Sequence, residues 1–213
     1  MRIAIIGTGI VGRTLARGLR DAGHDVVVGT RDPDETGRRE EWAGAEGSLR
    51  ALGSVAADAD LVVNATNGLA SLAALGEVGS DHLAGKVVMD VSNPLDFSQG
   101  FPPTLGVKDT DSLAEQIQRA FPQSRVVKSL NTVTASVMID PGSVGDGDTT
   151  IFAAGDDAEA RQQVVGLLRE LGWKDVIELD GLHNARGLEM WLPLWVRLMA
   201  ALGTAEFNIK LVR

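Results

Sequence analysis

The sequence predicts an α/β fold, a doubly wound and mostly parallel sheet with a small C-terminal helical or αβ extension. Two observations support this prediction. Short aliphatic runs alternate with longer amphipathic stretches along the 213 residues, and the first run ends directly in a glycine-rich loop. Strands of a parallel sheet are buried on both faces and form continuous apolar runs, whereas the covering helices carry polar residues on one side.

Each element is predicted from an apolar run, a helical repeat or a stop signal. Leu15 and Leu19 indicate one buried face of the first helix, and Gly23 ends it. The polar stretch Pro33–Gly53 is expected to be a loop with room for a helix, and Asn93–Asp109 a long surface loop. The predicted strands and helices are, in chain order, strand Arg2–Ile6, helix Val11–Ala22, strand Val26–Val28, strand Leu61–Ala65, a short helical stretch Leu69–Leu75, strand Lys86–Val91, helix Ser112–Ala120, strand Arg125–Leu130, strand Thr150–Ala153, helix Asp157–Leu171, strand Val176–Leu179 and helix Ala185–Leu202.

The composition excludes several classes of function. A formal net charge of −9 argues against a protein that binds nucleic acid or anionic membranes, because both classes use clustered Lys and Arg. The chain has no cysteine, which excludes disulfides, cysteine-ligated metals and thiol catalysis. The first apolar run is too short for a signal peptide, and no later run approaches the ~20 residues of a membrane span. We therefore expect a cytoplasmic protein.

The main functional signal is the loop Gly7-Thr8-Gly9-Ile10-Val11-Gly12, which follows the first strand and opens the first helix. In this GxGxxG pattern the first glycine permits a tight turn, the second lets the backbone approach a pyrophosphate, and the third lets helix and strand pack closely. Free N–H groups at the start of the helix favour the negative charge of phosphates. The loop therefore predicts a Rossmann-type fold that binds a dinucleotide through residues 7 to 12.

The end of the second strand indicates which dinucleotide is bound. An NAD site usually carries Asp or Glu there, which holds the ribose 2′-hydroxyl and would repel a 2′-phosphate. Here Thr30 offers a hydroxyl and Arg31 a planar guanidinium suited to phosphate. We therefore expect NADP(H) rather than NAD(H). Asp32 and Asp34 weaken the local positive charge, and the placement of Arg38 and Arg39 cannot be deduced from the sequence.

Small polar residues follow three of the predicted central strands, where the nicotinamide of a bound dinucleotide would lie. Such side chains can hold ribose hydroxyls or a carboxamide, although the same residue types also occur in turns and caps that bind nothing. The candidate cofactor contacts are Thr66, Asn67, Ser92, Asn93, Pro94, Asn131 and Thr132.

Acid–base residues are few. The chain has no tyrosine, so the Tyr-Lys pair of many carbonyl reductases is excluded. Lys128 could act as a general acid, but a solvated lysine at a strand end is the expectation, and of the histidines only His183 is a candidate near the site. We therefore assign no catalytic residue and no metal ligand. A flavin-like acceptor takes hydride on a ring that delocalises charge, so the protein need mainly align two flat rings.

The residues resemble those of the NADP-dependent oxidoreductases of coenzyme F420, a deazaflavin, over nearly the full chain. The similarity begins at the glycine loop and continues through Gly23-His24-Asp25-Val26-Val27-Val28-Gly29-Thr30-Arg31, similar to the family's GHE-VVVGSR stretch. It resumes at Val126–Thr132 and at Gly155-Asp156-Asp157. It ends with Asn184, Arg186, Glu189 and Pro193 in the spacing of the family's last helix, followed by Asn208-Ile209-Lys210-Leu211.

The resemblance implies hydride exchange between NADP(H) and F420, with residues 8–12 at the pyrophosphate and Thr30 and Arg31 at the 2′-phosphate. It implies that residues 1–213 form one NADP-binding domain, with a dinucleotide-binding core (residues 1–130) and a smaller segment (residues 131–213) that completes the substrate cleft. It also implies a homodimer with the last helices at the contact. The sequence departs from the family at Asp34-Glu35, where the family has a lysine near the 2′-phosphate, at Asn131-Thr132 in place of His-Thr, and over Asp96–Lys108.

Two alternatives remain beside an NADPH-linked reductase of F420 or a flavin. One is a non-catalytic NADP(H)-binding module that senses redox state, which the shortage of catalytic residues favours. A substrate cleft filled by Trp191 or Trp195 would support it. The other is an NADPH-dependent reductase of another small substrate, an imine or ketone, which would require Lys128 or His183 within hydrogen-bond reach of the acceptor.

Overall fold

The computed structural model describes residues 1–213, apart from the side chain of Glu46. The strands are β1 (Arg2–Ile6), β2 (Asp25–Thr30), β3 (Leu49–Ala51), β4 (Leu61–Asn64), β5 (Val87–Asp90), β6 (Leu95–Asp96), β7 (Thr104–Leu105), β8 (Arg125–Ser129), β9 (Thr150–Gly155) and β10 (Asp175–Asp180). The helices are α1 (Ile10–Asp21), α2 (Pro33–Gly37), α3 (Leu52–Val55), α4 (Ser71–Val78), α5 (Ser80–Leu83), α6 (Leu113–Ala120), α7 (Ala135–Ile139), α8 (Ala158–Glu170), α9 (Ala185–Met190) and α10 (Leu192–Leu202). Within the described part of the chain, none of these helices is long and apolar enough to cross a membrane.

One sheet of eight strands has the order β3-β2-β1-β4-β5-β8-β9-β10. Neighbouring strands are parallel except β8 and β9, which are antiparallel. The chain builds outward from β1 to β3 and then returns to place β4 on the other side of β1. In an open α/β sheet, ligands bind beyond the carboxyl ends of the strands at such a reversal. The predicted doubly wound, mostly parallel sheet is confirmed, and the reversal locates the site.

Helices cover both faces of the sheet because alternate side chains of each strand point to opposite sides. On β1, Ile3 and Ile5 belong to a buried cluster that includes α1 and α8. Ala4 and Ile6 belong to a second cluster that includes α3, α4 and α6. All four side chains are fully buried. The aliphatic side chains of β1 therefore pack against helices on both faces of the sheet. This packing holds the end of β1, and with it the start of the glycine-rich loop, in place.

Two stretches expected to be mostly loop contain strands that were not predicted, and the helix allowed for in Pro33–Gly53 is present as α2. Pro33–Gly53 includes α2 and the edge strand β3, and Asn93–Asp109 includes the antiparallel hairpin of β6 and β7. These strands are two or three residues long, too short to show an alternating pattern, so only their pairing reveals them. Helix α7 was not predicted either, because its five residues are too few for a helical repeat.

The predicted helix Ala185–Leu202 is in fact two helices. Helix α9 ends at Met190 and α10 begins at Leu192, with Pro193 in its first turn. Proline has no N–H to continue the hydrogen bonds of a preceding helix, but it suits the first turn of a new one. The other predicted strands and helices are present, with ends that differ by a few residues.

Candidate functional site

A groove of about 640 Å³ follows the carboxyl ends of β1, β2 and β4, and the glycine-rich loop lines it. Gly7 has a φ of +124°, which L side chains rarely adopt. A Cβ at Gly12 would overlap the carbonyl oxygen of Gly7, so α1 packs directly against the loop. At Gly9 a Cβ would meet nothing within 4 Å. The backbone at Gly9 therefore faces open space, which the approach of a pyrophosphate requires.

The end of β2 contributes polar groups to one end of the groove. Thr30 is buried, and its hydroxyl lies 2.7 Å from that of Thr36 on α2. Arg31 is exposed, and both Thr30 and Arg31 line the groove. The pair expected at a 2′-phosphate therefore lies on the wall of the predicted dinucleotide site.

Arg39, but not Arg38, lines the same groove. The guanidinium of Arg39 is 2.9 Å from a carboxylate oxygen of Glu35, one helical turn earlier. Asp32 and Glu77 also line the groove, so its wall carries both signs of charge. Arg39 is therefore the second cation, after Arg31, that lines the groove and is available to an anionic ligand. Its position in the structure identifies it, whereas the sequence did not.

A second cavity of about 340 Å³ adjoins the groove, and the two share Ala65, Thr66 and Asn67. Its walls come from the loops after β4, β5 and β8, the start of α1, the hairpin of β6 and β7, and from α7 and α10. None of the described side chains that line it is charged. The lining residues are Ile10, Val11, Ala65, Thr66, Asn67, Gly68, Val91, Ser92, Asn93, Leu95, Phe97, Asn131, Val133, Thr134, Ala135, Met138, Leu192 and Trp195.

The structure brings most of the predicted nicotinamide contacts together. Those that line the second cavity are Thr66, Asn67, Ser92, Asn93 and Asn131. The remaining two, Pro94 and Thr132, line neither cavity, and Thr132 is buried. Pro94 is buried and directly precedes β6.

Buried hydrogen bonds fix the ends of β4 and β5 beneath the junction of the two cavities. The amide of Asn64 donates to the hydroxyl of Ser71 at 3.0 Å and to the carboxylate of Asp90 at 2.8 Å. The hydroxyl of Ser92 donates to Asp90 at 2.6 Å, and that of Thr66 donates to the Asn64 side-chain oxygen at 2.8 Å. Because buried polar groups are costly to leave unpaired, this network holds Thr66 and Ser92 in fixed positions.

Asn93 and Asn131 bind each other across the cavity wall. The Asn93 amide donates to the backbone oxygen of Asn131 at 2.8 Å, and the Asn131 amide donates to the Asn93 side-chain oxygen at 2.9 Å. The Asn131 amide also donates to the backbone oxygen of Leu188 on α9 at 2.9 Å. Both N–H groups of Asn131 are therefore used within the protein, which leaves its side-chain oxygen for a ligand.

Lys128 is not the solvated strand-end lysine that was expected. It is fully buried on β8, a central strand, with its ammonium 2.7 Å from Asp90 and 2.9 Å from Glu189 on α9. Burial alone lowers the pKa of Lys128, but the Asp90 and Glu189 carboxylates outweigh it and raise the pKa above its ordinary value. Lys128 therefore stays protonated and lines neither cavity.

Glu189 also connects α9 to the start of α6. Its carboxylate accepts hydrogen bonds from the backbone N–H groups of Leu113 at 2.8 Å and Ala114 at 3.2 Å. These N–H groups belong to the first turn of α6 and have no partner within that helix. Together with Lys128, this carboxylate fixes the C-terminal helices to the sheet.

The remaining candidates lie apart from the cavities or in their walls. His183 is exposed and lines neither cavity. Trp195 lines the second cavity and stacks on Phe207, with ring centroids 5.3 Å apart, whereas Trp191 does not line it. The cavity is therefore walled by one tryptophan and not filled by either.

Sequence reasoning did not identify the apolar walls of the second cavity. Phe97, Met138 and the α10 pair Leu192 and Trp195 come from three segments that are distant in the sequence. Apolar residues of a core and of a cavity have the same pattern, so no local signal distinguishes them. Only the resemblance indicated that the C-terminal segment completes a cleft.

Comparisons with known proteins agree with this arrangement. The model of the family described as NADP oxidoreductase, coenzyme F420-dependent, matches residues 2–94. A crystal structure from Arthrobacter sp. FB24, of a protein proposed to be an F420-dependent NADP reductase, is 53% identical and covers 100% of both chains with a TM-score of 0.97. The chain belongs to the F420-dependent NADP oxidoreductase family. The resemblance noted from the residues is thereby confirmed.

Two further relatives differ in how much of their length is matched. The F420-dependent NADP reductase of Methanothermobacter marburgensis is 29% identical over 93% of this chain and 92% of its own length. The rat metalloreductase STEAP3 is 30% identical over 95% of this chain, but the chain spans only 39% of that protein. The family member described here therefore corresponds to one part of the metalloreductase.

Proposed function

We propose that this chain binds NADP(H) in the groove and transfers a hydride between NADPH and a deazaflavin (coenzyme F420) or flavin-like acceptor in the adjoining cavity. The observation that carries this proposal is the junction at residues 65–67, where the groove and an uncharged cavity share a wall. The relatives named F420-dependent NADP reductases support the choice of both substrates.

The residues of the groove fit NADP(H). The open space at Gly9 admits the pyrophosphate, where the first N–H groups of α1 would meet it. Thr30, Arg31 and Arg39 would hold the 2′-phosphate, since guanidinium groups bind phosphate in two-point geometry. The nicotinamide end would pass Thr66 and Asn67 at the junction and enter the side of the second cavity that Ser92 and Asn93 line. The bound dinucleotide supplies the hydride, and the chain supplies alignment.

The chain's own residues would orient two flat rings and exclude water. The network beneath Thr66 and Ser92 keeps these side chains at fixed positions beside the junction. Leu192 and Trp195 close the far side of the cavity. Lys128 and His183 lie outside both cavity walls, so the imine or ketone alternative lacks its required proton donor at this site. The open cavity favours an enzyme over the non-catalytic module.

The proposal includes the organisation of the chain. One NADP-binding domain spans residues 1–213, in which residues 131–213 complete the substrate cleft formed on the core of residues 1–130. The protein acts in the cytoplasm on a small-molecule redox substrate, and it assembles as a homodimer.

An absorbance assay tests the proposed function. Purified protein is mixed with NADPH and oxidised F420, with FMN as a second acceptor and NADH as a second donor. We expect loss of the deazaflavin absorbance with NADPH and little with NADH. Binding of NADPH without oxidation by any deazaflavin, flavin or quinone would contradict the proposal and favour the non-catalytic module.

A matched pair of variants tests the choice of dinucleotide. Arg31→Ala removes a cation from the groove wall, whereas Arg38→Ala removes an exposed cation outside it. A hydrogen bond to a charged group contributes roughly 1.5–3 kcal/mol, so the KM for NADPH should rise about tenfold or more in the first variant only. The KM for NADH should not change. Equal effects of the two variants would contradict the assignment of Arg31.

A further inference from the structure

Phe97 is a large aromatic side chain that is exposed and lines the second cavity at the same time. Its exposed fraction is 54%. It lies directly after β6, in the hairpin that departs from the family sequence pattern. Apolar surface that stays in contact with water at a cavity wall is typical of a place where a ligand packs.

Local hydrogen bonds join the backbone on both sides of Phe97. The Phe97 backbone oxygen accepts a hydrogen bond from Gly100 at 2.9 Å, and the Asp96 carboxylate accepts one from the Ser98 N–H at 2.8 Å. At the base of the hairpin, a Cβ on Gly68 would overlap the carbonyl oxygen of Asn93, so the β4 and β5 loops touch. The hairpin that carries Phe97 therefore starts beside Gly68, and Phe97 lines the same cavity as Thr66 and Asn67.

The chemistry of the cavity limits what can bind against this ring. None of the described lining side chains is charged, although the adjoining groove contains Arg31 and Arg39. The polar lining side chains are neutral amides and hydroxyls, which suit the carbonyl and N–H edge of a flavin-like ring. A phosphate or carboxylate in this cavity would be desolvated without a counter-charge.

We infer that the hydride acceptor is recognised as a planar ring stacked on Phe97, and that any phosphate or carboxylate tail of the acceptor remains outside the cavity. This inference rests on the proposed function, because it describes the second substrate of the same site. It goes further in naming the residue that selects the ring and in excluding the tail from recognition.

The first experiment measures ring binding without turnover. The dissociation constant of oxidised F420 for the complex of the protein with NADP⁺ is determined by fluorescence titration, for wild type, Phe97→Ala, Phe97→Trp and Phe101→Ala. Phe101 is 64% exposed, belongs to the same hairpin and does not line the cavity. Aromatic stacking contributes about a three- to tenfold difference in affinity, so Phe97→Ala should weaken binding by that factor. Phe97→Trp and Phe101→Ala should bind within about twofold of wild type, and NADP⁺ affinity should be unchanged in all.

The second experiment separates ring from tail. Riboflavin and FMN share one ring system and differ by a phosphate, so we expect their dissociation constants for the NADP⁺ complex to agree within about threefold. Tighter binding of FMN by tenfold or more would contradict the inference, since the phosphate would then have a cationic partner. Equal ring affinity in Phe97→Ala and wild type would also overturn it. Either result is independent of the proposed function, whose failure would show as absence of NADPH oxidation despite binding of both ligands.

Discussion

Gly9 and Gly12, in the loop after β1, differ in the space that a Cβ atom would have. At Gly12 a Cβ would overlap a backbone oxygen of Gly7, whereas at Gly9 it would point into the open groove. Gly9 also has φ −74° and ψ −174°, which alanine adopts without strain. Packing thus requires glycine at position 12, whereas at position 9 glycine leaves the space that a ligand needs.

We therefore predict that Gly9→Ala folds normally but binds NADPH poorly. Its thermal midpoint should stay within about 2 °C of wild type, since surface substitutions usually change stability by less than 0.5 kcal/mol. Its affinity for NADPH, measured by calorimetry, should fall at least tenfold. Gly12→Ala is the contrast, because its backbone overlap should lower the midpoint itself. Unchanged NADPH affinity in Gly9→Ala would show that the dinucleotide does not approach this backbone.

We also predict that the buried Lys128 contributes strongly to stability. Lys128→Met leaves Asp90 and Glu189 buried without their counter-charge, and breaking a buried ion pair costs about 3–5 kcal/mol. The thermal midpoint should fall by roughly 6–20 °C in a chain of this size. Lys108→Met, at an exposed lysine, is the control. A midpoint within about 2 °C of wild type for Lys128→Met would mean that the buried ion pairs contribute little to stability.

The sequence predicted some of these residues and not others for a physical reason. The spacing of Gly7, Gly9 and Gly12 is a local pattern, so it located the groove, and Arg31 followed from its position after β2. The partners of Lys128 lie 38 residues earlier on β5 and on α9 near the end of the chain. Burial of a polar strand residue depends on which strands flank it, which one sequence does not contain.

Among the helices and strands, the length of each element determined whether the sequence could predict it. The long helices α1, α6 and α8 and the buried strands show clear periods, and each was predicted near its observed limits. The hairpin of β6 and β7 and the edge strand β3 depend on pairing between residues far apart in sequence. Since the hairpin contributes Phe97 to the cavity, the acceptor side of the site was less predictable than the cofactor side.

The last residues of the chain, Lys210 and Arg213, are attached to Asp175 at the start of β10, next to the start of β9. Hydrogen bonds from the Thr150 hydroxyl, at 2.6 Å, and from Lys210 and Arg213 lower the pKa of Asp175 to about 2, from 3.8. A carboxylate whose pKa is lowered in the folded state stabilises the protein above its unfolded pKa, and the stabilisation is lost as pH falls through the folded value.

We predict that this attachment weakens between about pH 4 and pH 2. The difference in free energy of unfolding between wild type and Asp175→Asn should be constant above about pH 5 and shrink as pH falls toward 2. Denaturant unfolding followed by circular dichroism at several pH values measures it. Asp81→Asn, at an exposed carboxylate on α5, is the control variant. A constant difference down to pH 2 would contradict the role of Asp175.

At the scale of the whole molecule, the last two helices present apolar surface. Met190 is 38%, Leu194 49% and Leu202 58% exposed. Exposed apolar side chains grouped in one region are typical of an interface. We predict that light scattering at micromolar concentration gives the mass of two chains. Leu194→Asp should give the mass of one chain, whereas Leu72→Asp, on α4, should not. A wild-type protein of single-chain mass would contradict the proposed homodimer.

The proposed function requires a nicotinamide and an acceptor ring to meet at Ala65, Thr66 and Asn67, which line both adjoining cavities. Transfer of deuterium tests it most directly. NADPH deuterated at both positions of the nicotinamide C4 is mixed with oxidised F420 and the protein, and the reduced deazaflavin is weighed by mass spectrometry. Hydrogen bound to the ring carbon of a deazaflavin does not exchange with water, so direct transfer should add one deuterium to the product. Reduced deazaflavin without deuterium would contradict direct transfer between rings held at this junction.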